Sequence, residues 1–163
     1  MSKVIVYGGG EMLSVCVPVL SEMEKSESEE MFLKRLIANS IPEEFRKSAL
    51  VLESSALPSG RLFRETWVVS GNLVKVDMEK ARRIHLEKIR VARNAKLDAL
   101  DRDEMSAMSR GDDTALAFVR AAKNILRDLP SFWKGYLEGA DTPEGLDGMW
   151  PVELDRRNDA NDW

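Results

Sequence analysis

The chain has 163 residues, of which 44% are hydrophobic and 32% are charged, and its net charge is -4. This length suits one domain with a small appendage, and the composition predicts a hydrophobic core beneath helices with solvated faces. The mild acidity gives no reason to expect nucleic acid or an anionic membrane as a partner. The single cysteine, Cys16, excludes a disulfide within these residues, and no stretch approaches the ~20 apolar residues of a membrane span.

The N-terminal part predicts a small β-rich domain that contains one helix. Residues 4–7 are β-formers, and the three glycines at 8–10 permit a tight turn. Residues 13–19 are again apolar, and we expect Pro18 to end the second strand. Together they predict a hairpin. The Ser- and Glu-rich segment 21–30 predicts an exposed loop, beyond which apolar residues recur at helical spacing.

Three further strands are predicted in this first domain. Residues 49–53 and 63–69 are rich in β-formers, and a turn is predicted between them at residues 58–60, where proline and glycine occur. The sequence Ser-Gly-Asn at 70–72 predicts a second hairpin turn, which leads into a strand at residues 73–76.

From residue 77 onward the pattern changes to helix. Asp77 can cap a helix whose apolar residues share one face to about residue 108, and Gly111 breaks it. Asp112 or Asp113 can cap a second helix, which we expect Pro130 to end. Its predicted buried face consists of Ala115, Phe118, Val119, Ala122, Ile125, Leu126 and Leu129. The short link between the two helices predicts an antiparallel helical hairpin.

A short third helix is predicted where Thr142 precedes Pro143, because proline is favoured at the first helical position. The expected fold is therefore α+β, with hairpins and one helix followed by a helical hairpin and a short C-terminal helix. We expect a docking domain at residues 1–76, a helical part at 77–154 and a polar tail at 155–163.

The sequence offers little for catalysis. His85 is the sole histidine, so a catalytic triad or a histidine metal site would depend on it alone, and its helical position near Ala81 and Ile89 predicts a histidine buried between helices. One cysteine and one histidine cannot form a zinc motif. The glycine run matches no phosphate loop, and Glu11 would repel a phosphate. We expect a protein that is not an enzyme and uses no cofactor or metal.

Residues 80–96 contain seven lysines and arginines against one glutamate. Such a helix could lie on nucleic acid, which makes a nucleic-acid-binding adaptor one alternative function. The acidic net charge, the acidic flanks and the absence of interleaved aromatic residues instead favour a solvated helix face, or contact with an acidic partner surface.

Aromatic residues gather toward the C-terminus. Tryptophan loses little entropy on ordering and buries a large area, so aromatic residues beside polar loops or at a chain end are candidate interface anchors. We expect Trp67 and Trp150 to pack in the core. The predicted partner-binding residues are Phe132, Trp133, Tyr136 and Trp163.

Three segments carry a family resemblance. They are R-x-F-R-x-x-W at residues 61–67, D-M-x-K-A-R-x-I-H at residues 77–85, and L-R-D-x-P at residues 126–130, the last followed by W-P at residues 150–151. In their order and spacing they resemble small phage and prophage proteins of the tail region, including tail assembly chaperones. The resemblance covers residues 58–154.

The resemblance implies a bacteriophage tail-associated protein that acts by protein–protein binding, as a structural component of the tail, baseplate or fibre attachment region. The alternative within this setting is a tail or tail-fibre assembly chaperone that is not retained in the particle. The expected partners are other phage tail proteins and further copies of the chain in a symmetric assembly. The expected location is the virion tail, or the host cytoplasm during assembly. The family implies no particular site residue.

Overall fold

The computed structural model describes residues 2–9 and 12–154 and has the α+β fold that the sequence predicts. The chain divides into two compact units, Met1–Asp77 and Met78–Trp163. The first is β-rich, and the second is a helical hairpin followed by a short helix. The polar tail at 155–163, with the predicted interface residue Trp163, lies outside the described residues.

The first unit contains a three-stranded antiparallel sheet. Strands β1 (Lys3–Gly9), β2 (Met12–Cys16) and β3 (Leu50–Glu53) lie in the order β2-β1-β3. The hairpin predicted from the glycine run is confirmed, and its second strand ends at Cys16, before the predicted end. Pro18 cannot donate a ladder hydrogen bond, which fits an end to pairing just before it.

The β1–β2 hairpin depends on Gly8. The backbone φ of Gly8 is 128°, which residues with a side chain rarely adopt. A Cβ at this position would lie 2.6 Å from the carbonyl oxygen of Met12 on the paired strand. The glycine therefore permits a close approach of the two backbones.

Gly8→Ala is expected to lower the free energy of unfolding by about 1–3 kcal/mol, because the new Cβ would meet the Met12 carbonyl in a strained backbone conformation. Gly9→Ala is the matched control, since a Cβ on Gly9 meets nothing within 4 Å. Urea unfolding of both variants measures the difference. Equal losses in the two variants would show that the close approach at Gly8 contributes nothing.

Two helices follow the hairpin. Helix α1 (Glu29–Ser40) begins at the end of the predicted loop, and the side chain of Ser28 caps it by accepting a 3.3 Å hydrogen bond from the Met31 N–H. The short helix α2 (Glu43–Arg46) starts directly after Pro42.

A second hairpin completes the first unit. Strand β4 (Trp67–Ser70) pairs with β5 (Leu73–Val76), and Gly71 occupies the turn with a φ of 62°. The turn predicted at residues 70–72 is therefore confirmed.

The strand predicted at residues 63–69 is wrong in its first half. Phe63 has a left-handed backbone with a φ of 51°. Its carbonyl oxygen accepts hydrogen bonds from the N–H and the hydroxyl of Thr66, both at 2.8 Å. These bonds close a 3-10 turn over Arg64–Thr66, so the strand begins only at Trp67.

Each face of the three-stranded sheet covers its own apolar cluster, because successive side chains of a strand point to opposite sides. One cluster contains Val4, Val6, Leu52, Ala56, Trp67 and Val74. The other contains Ile5, Leu33 and Ile41, and Cys16 packs against it. The core position predicted for Trp67 is confirmed.

The second unit is a helical hairpin with a short additional helix. Helix α3 (Met78–Arg110) packs against α4 (Asp113–Leu137) in antiparallel orientation, and α5 (Pro143–Gly148) packs on α3. At 1.5 Å per residue, α3 is about 50 Å long.

Three helix ends of this unit follow the predicted capping chemistry. Gly111 ends α3 with a φ of 66°. Of the two candidate caps for α4, Asp112 is the cap, and its carboxylate accepts a 2.9 Å hydrogen bond from the Ala115 N–H. Thr142 caps α5 by accepting a 3.1 Å bond from the Gly145 N–H.

The prediction that Pro130 ends α4 is wrong. The helix continues through it to Leu137. A proline inside a helix removes one backbone hydrogen bond and crowds the preceding turn. Here Pro130 and the neighbouring Leu126, Leu129 and Leu137 are buried, and this packing compensates for the lost bond.

Candidate protein interface

Three predicted partner-binding residues lie together near the end of α4. The ring centroids of Phe132 and Tyr136 are 6.3 Å apart with ring planes at 15°, and those of Trp133 and Tyr136 are 5.2 Å apart at 74°. The sequence predicted that Phe132 and Trp133 lie near loops, but both are helical because α4 continues past Pro130. Spacings of three and four residues bring the rings onto neighbouring turns of one side.

An apolar stripe runs along the exposed side of α4 and includes two of these rings. Phe118, Ile125 and Phe132 are spaced seven residues apart and are 77%, 57% and 70% exposed. Tyr136 lies one turn beyond Phe132 and is 57% exposed. Seven residues are nearly two helical turns, so the four side chains share one side. We call these four residues the outward stripe.

The outward stripe corrects part of the predicted helix face. Phe118 and Ile125 were assigned to the buried side of α4, but both are exposed. The buried side contains Leu126 and Leu129, as predicted, and continues to Leu137. Helix α4 thus carries two neighbouring apolar stripes, of which only one packs inside.

The size of the outward stripe distinguishes it from scattered surface hydrophobic residues. Aromatic side chains present about 150–250 Å² each, so at the observed exposures the four side chains leave on the order of 500 Å² of side chain in water. The largest apolar patch on a typical monomer covers about 300–600 Å² and is often functional, so the outward stripe is a candidate contact site.

Small residues border the outward stripe on the side that faces away from α3. At 100° per residue, Ala117, Ala121 and Gly135 fall next to the stripe together with Asp128, and all four are exposed. A basic row lies farther round the helix and consists of Arg120, Arg127 and Lys134. Another helix could therefore approach the stripe closely along its small-residue border.

A cluster of charges fixes the middle of α4 to α3. Lys123 is only 8% exposed, and its Nζ contacts the carboxylate of Asp101 and donates a 2.5 Å hydrogen bond to Glu104. Glu104 also accepts a 2.8 Å bond from Arg120. The bonds from Arg120 and Lys123 lower the pKa of Glu104 to about 2, and those to Asp101 and Glu104 raise the pKa of Lys123.

This cluster also explains why the outward stripe stays outside. With Lys123 facing α3, the residues about 160° away around the helix, which include Ile125, must face outward. A rotation that buried Ile125 would separate Lys123 from both carboxylates. The ion pairs and the buried leucines therefore select the same orientation of α4.

His85 occupies the buried position that its helical spacing predicts. It is 2% exposed, and its Nε2 lies 2.7 Å from the carbonyl oxygen of Met149. A carbonyl oxygen only accepts, so Nε2 carries the proton. The ring meets that of Trp150 edge-on at 5.7 Å. His85 and Trp150 thus attach the segment after α5 to α3.

Two basic residues of α3 also have partners within the second unit. Arg82 donates a 2.7 Å hydrogen bond to the Ala140 carbonyl oxygen, and Arg90 pairs with Glu87 at 3.1 Å. These contacts favour the interpretation of residues 80–96 as a structural and solvated helix face. They do not favour a row of cations that would follow a phosphate backbone.

Within residues 2–9 and 12–154, no three side chains of His, Cys, Asp or Glu are grouped to hold a metal ion. No helix in these ranges combines the length and the apolar character that crossing a bilayer requires.

Comparison of the chain with protein-family models, with curated proteins and with solved structures gave no match. The outward stripe and the residues around it are therefore interpreted from their own geometry and chemistry.

Proposed function

We propose that this protein acts by binding other proteins through the outward stripe of α4, as a component of a bacteriophage tail. One observation carries the proposal: four large apolar side chains, 57–77% exposed, line one side of a helix whose other side is fixed to α3. Burying them against a partner would remove this apolar surface from water, at about 25 cal/mol per Å² before the entropic costs of association.

The aromatic end of the stripe is suited to anchor such a contact. Phe132 and Tyr136 stack on each other, and Trp133 packs edge-on against Tyr136. Rings that restrain one another in a helix lose less freedom when a partner covers them than rings on a mobile loop would. Aromatic anchors of this kind supply most of the energy in many interfaces.

The tail setting comes from the resemblance of residues 58–154. The segment L-R-D-x-P at residues 126–130 lies on α4 just before the aromatic end. On this proposal the partners are tail proteins, with further copies of this chain among them, and the protein is a structural part of the tail, baseplate or fibre attachment region.

The test compares the proteins recovered with two variants from cells that produce the whole particle. Phe132→Ala removes an exposed anchor, and Arg127→Ala removes an exposed side chain from the far side of the same helix. Truncating an anchor costs about 2 kcal/mol or more, so recovery of the partner should fall at least about tenfold with Phe132→Ala only.

The identity of the recovered proteins tests the setting separately. Tail proteins that are lost with Phe132→Ala and kept with Arg127→Ala support the proposal in full. Other proteins that behave in this way would support binding through the stripe and contradict the tail setting. Equal recovery with the two variants would contradict binding through the stripe.

A further inference from the structure

We propose that the partner on the outward stripe is a second copy of this chain, with the two α4 helices packed antiparallel about a twofold axis at Ile125. The inference rests on the proposed function, because it names the occupant of the same surface. The resulting dimer places two helical hairpins side by side as a four-helix arrangement.

The spacing of the stripe is self-complementary. Phe118 and Phe132 lie seven residues before and after Ile125, at matching exposure. A twofold axis through Ile125 therefore places each Phe118 opposite the other copy's Phe132, and Ile125 opposite its own counterpart. A symmetric dimer requires this property, since the same surface must complement itself.

The area of the two stripes approaches what a dimer of this size needs. The outward stripe presents on the order of 500 Å² per copy, so two stripes bury on the order of 1,000 Å² before their borders are added. Specific interfaces begin at about 1,200 Å² in total. The exposed small-residue border beside the stripe supplies the remainder.

The charges near the stripe are compatible with this pairing. In the antiparallel arrangement Asp128 of one copy comes beside the Asn124 amide of the other, which can donate to the carboxylate. Arg120 and Arg127 lie farther round the helix and remain in water. The small side chains of the border let the helix axes approach to about 8–10 Å without burying a cation.

Sedimentation equilibrium of the full chain tests the association. The wild-type protein is expected to be a dimer, and Ile125→Asp should weaken association by about a hundredfold or more, because it puts two unpaired carboxylates at the axis. Ser131→Asp, which adds the same charge on the solvent side of α4, should remain a dimer. Circular dichroism at low concentration checks that each variant is folded.

Disulfide formation tests the geometry, in a Cys16→Ala background that removes the native thiol. Helices packed at about 8–10 Å bring Cα atoms on the axis within about 4–6 Å, the span of a disulfide. Ile125→Cys should therefore cross-link to itself. Phe118→Cys and Phe132→Cys should each form no cross-link alone and should cross-link when mixed. Self-cross-linking of either variant alone would overturn the antiparallel pairing.

The outcomes separate this inference from the proposed function. If the wild-type chain stays monomeric, the proposal that a second copy covers the outward stripe is wrong. A dimer that persists in Ile125→Asp would also contradict it. In either case a partner that is lost with Phe132→Ala would still support the proposed function. A dimer with the expected cross-links and no tail protein among the recovered partners would support the second copy as occupant and contradict the tail setting.

Discussion

Ile89→Ala should lower the free energy of unfolding of the helical unit by about 2–5 kcal/mol. Ile89 has no exposed surface, so truncation removes apolar contacts and leaves a cavity in a packed interior. The matched variant is Ile125→Ala on α4, where the same side chain is 57% exposed. There we expect a change within about 0.5 kcal/mol.

Urea unfolding at low protein concentration measures both values for the monomer. Both residues are isoleucines in the interior of a helix, so helix propensity changes equally and cancels in the comparison. A large loss at Ile125 would mean that the outward stripe supports the fold of the single chain. That result would remove the reason for assigning the stripe to a partner.

Glu104→Gln is expected to destabilise the protein at neutral pH and to have little effect in strong acid. In the folded chain the pKa of Glu104 is held at about 2, below its ordinary value of 4.5, first by the bond from Arg120 and then by that from Lys123. A lowered folded-state pKa adds stability that is fully present above the ordinary value. That stability is lost as the pH falls from about 4.5 through about 2.

Thermal unfolding midpoints of the wild type and Glu104→Gln at a series of pH values check this prediction. The difference between them should be largest near neutral pH and should shrink through the window from about 4.5 to about 2. Asp98→Asn removes an exposed carboxylate from the outer side of the same helix and serves as the control. A difference that does not change with pH would mean that the ion cluster does not hold α4 on α3.

The sequence predicted the elements well because their determinants are local. Each determinant involves residues that are close together in the sequence. They are the apolar spacing of three and four residues, the capping groups of Asp112 and Thr142, and the glycines of the turns. The two local errors, at Phe63 and Pro130, have a different origin. At Phe63 two hydrogen bonds from Thr66 close a turn, and at Pro130 the buried proline is accommodated within the helix.

The orientation of α4 could not be predicted, because the helix is apolar over two neighbouring arcs. Either Ile125 or Leu126 could have faced α3 by pattern alone. The choice involves Lys123, whose partners Asp101 and Glu104 lie about twenty residues earlier in the chain. A single lysine on an apolar face gives no indication of such partners in the sequence.

The candidate site was accordingly found only in part from the sequence. Phe132, Trp133 and Tyr136 were identified by residue type, since exposed aromatic clusters are frequent in interfaces. Phe118 and Ile125 were missed because they were assigned to the core. The regular spacing of Phe118, Ile125 and Phe132, seven residues from one to the next, was visible in the sequence. Only the packing of α4 on α3 shows that these residues face outward.

The central claim is that the outward stripe is kept exposed for contact with another protein. The most direct test first shows that Phe132→Ala and Arg127→Ala unfold like the wild type. It then divides the amount of partner recovered with Phe132→Ala by the amount recovered with Arg127→Ala. The account predicts a ratio of about one tenth or less. A ratio near one would contradict it.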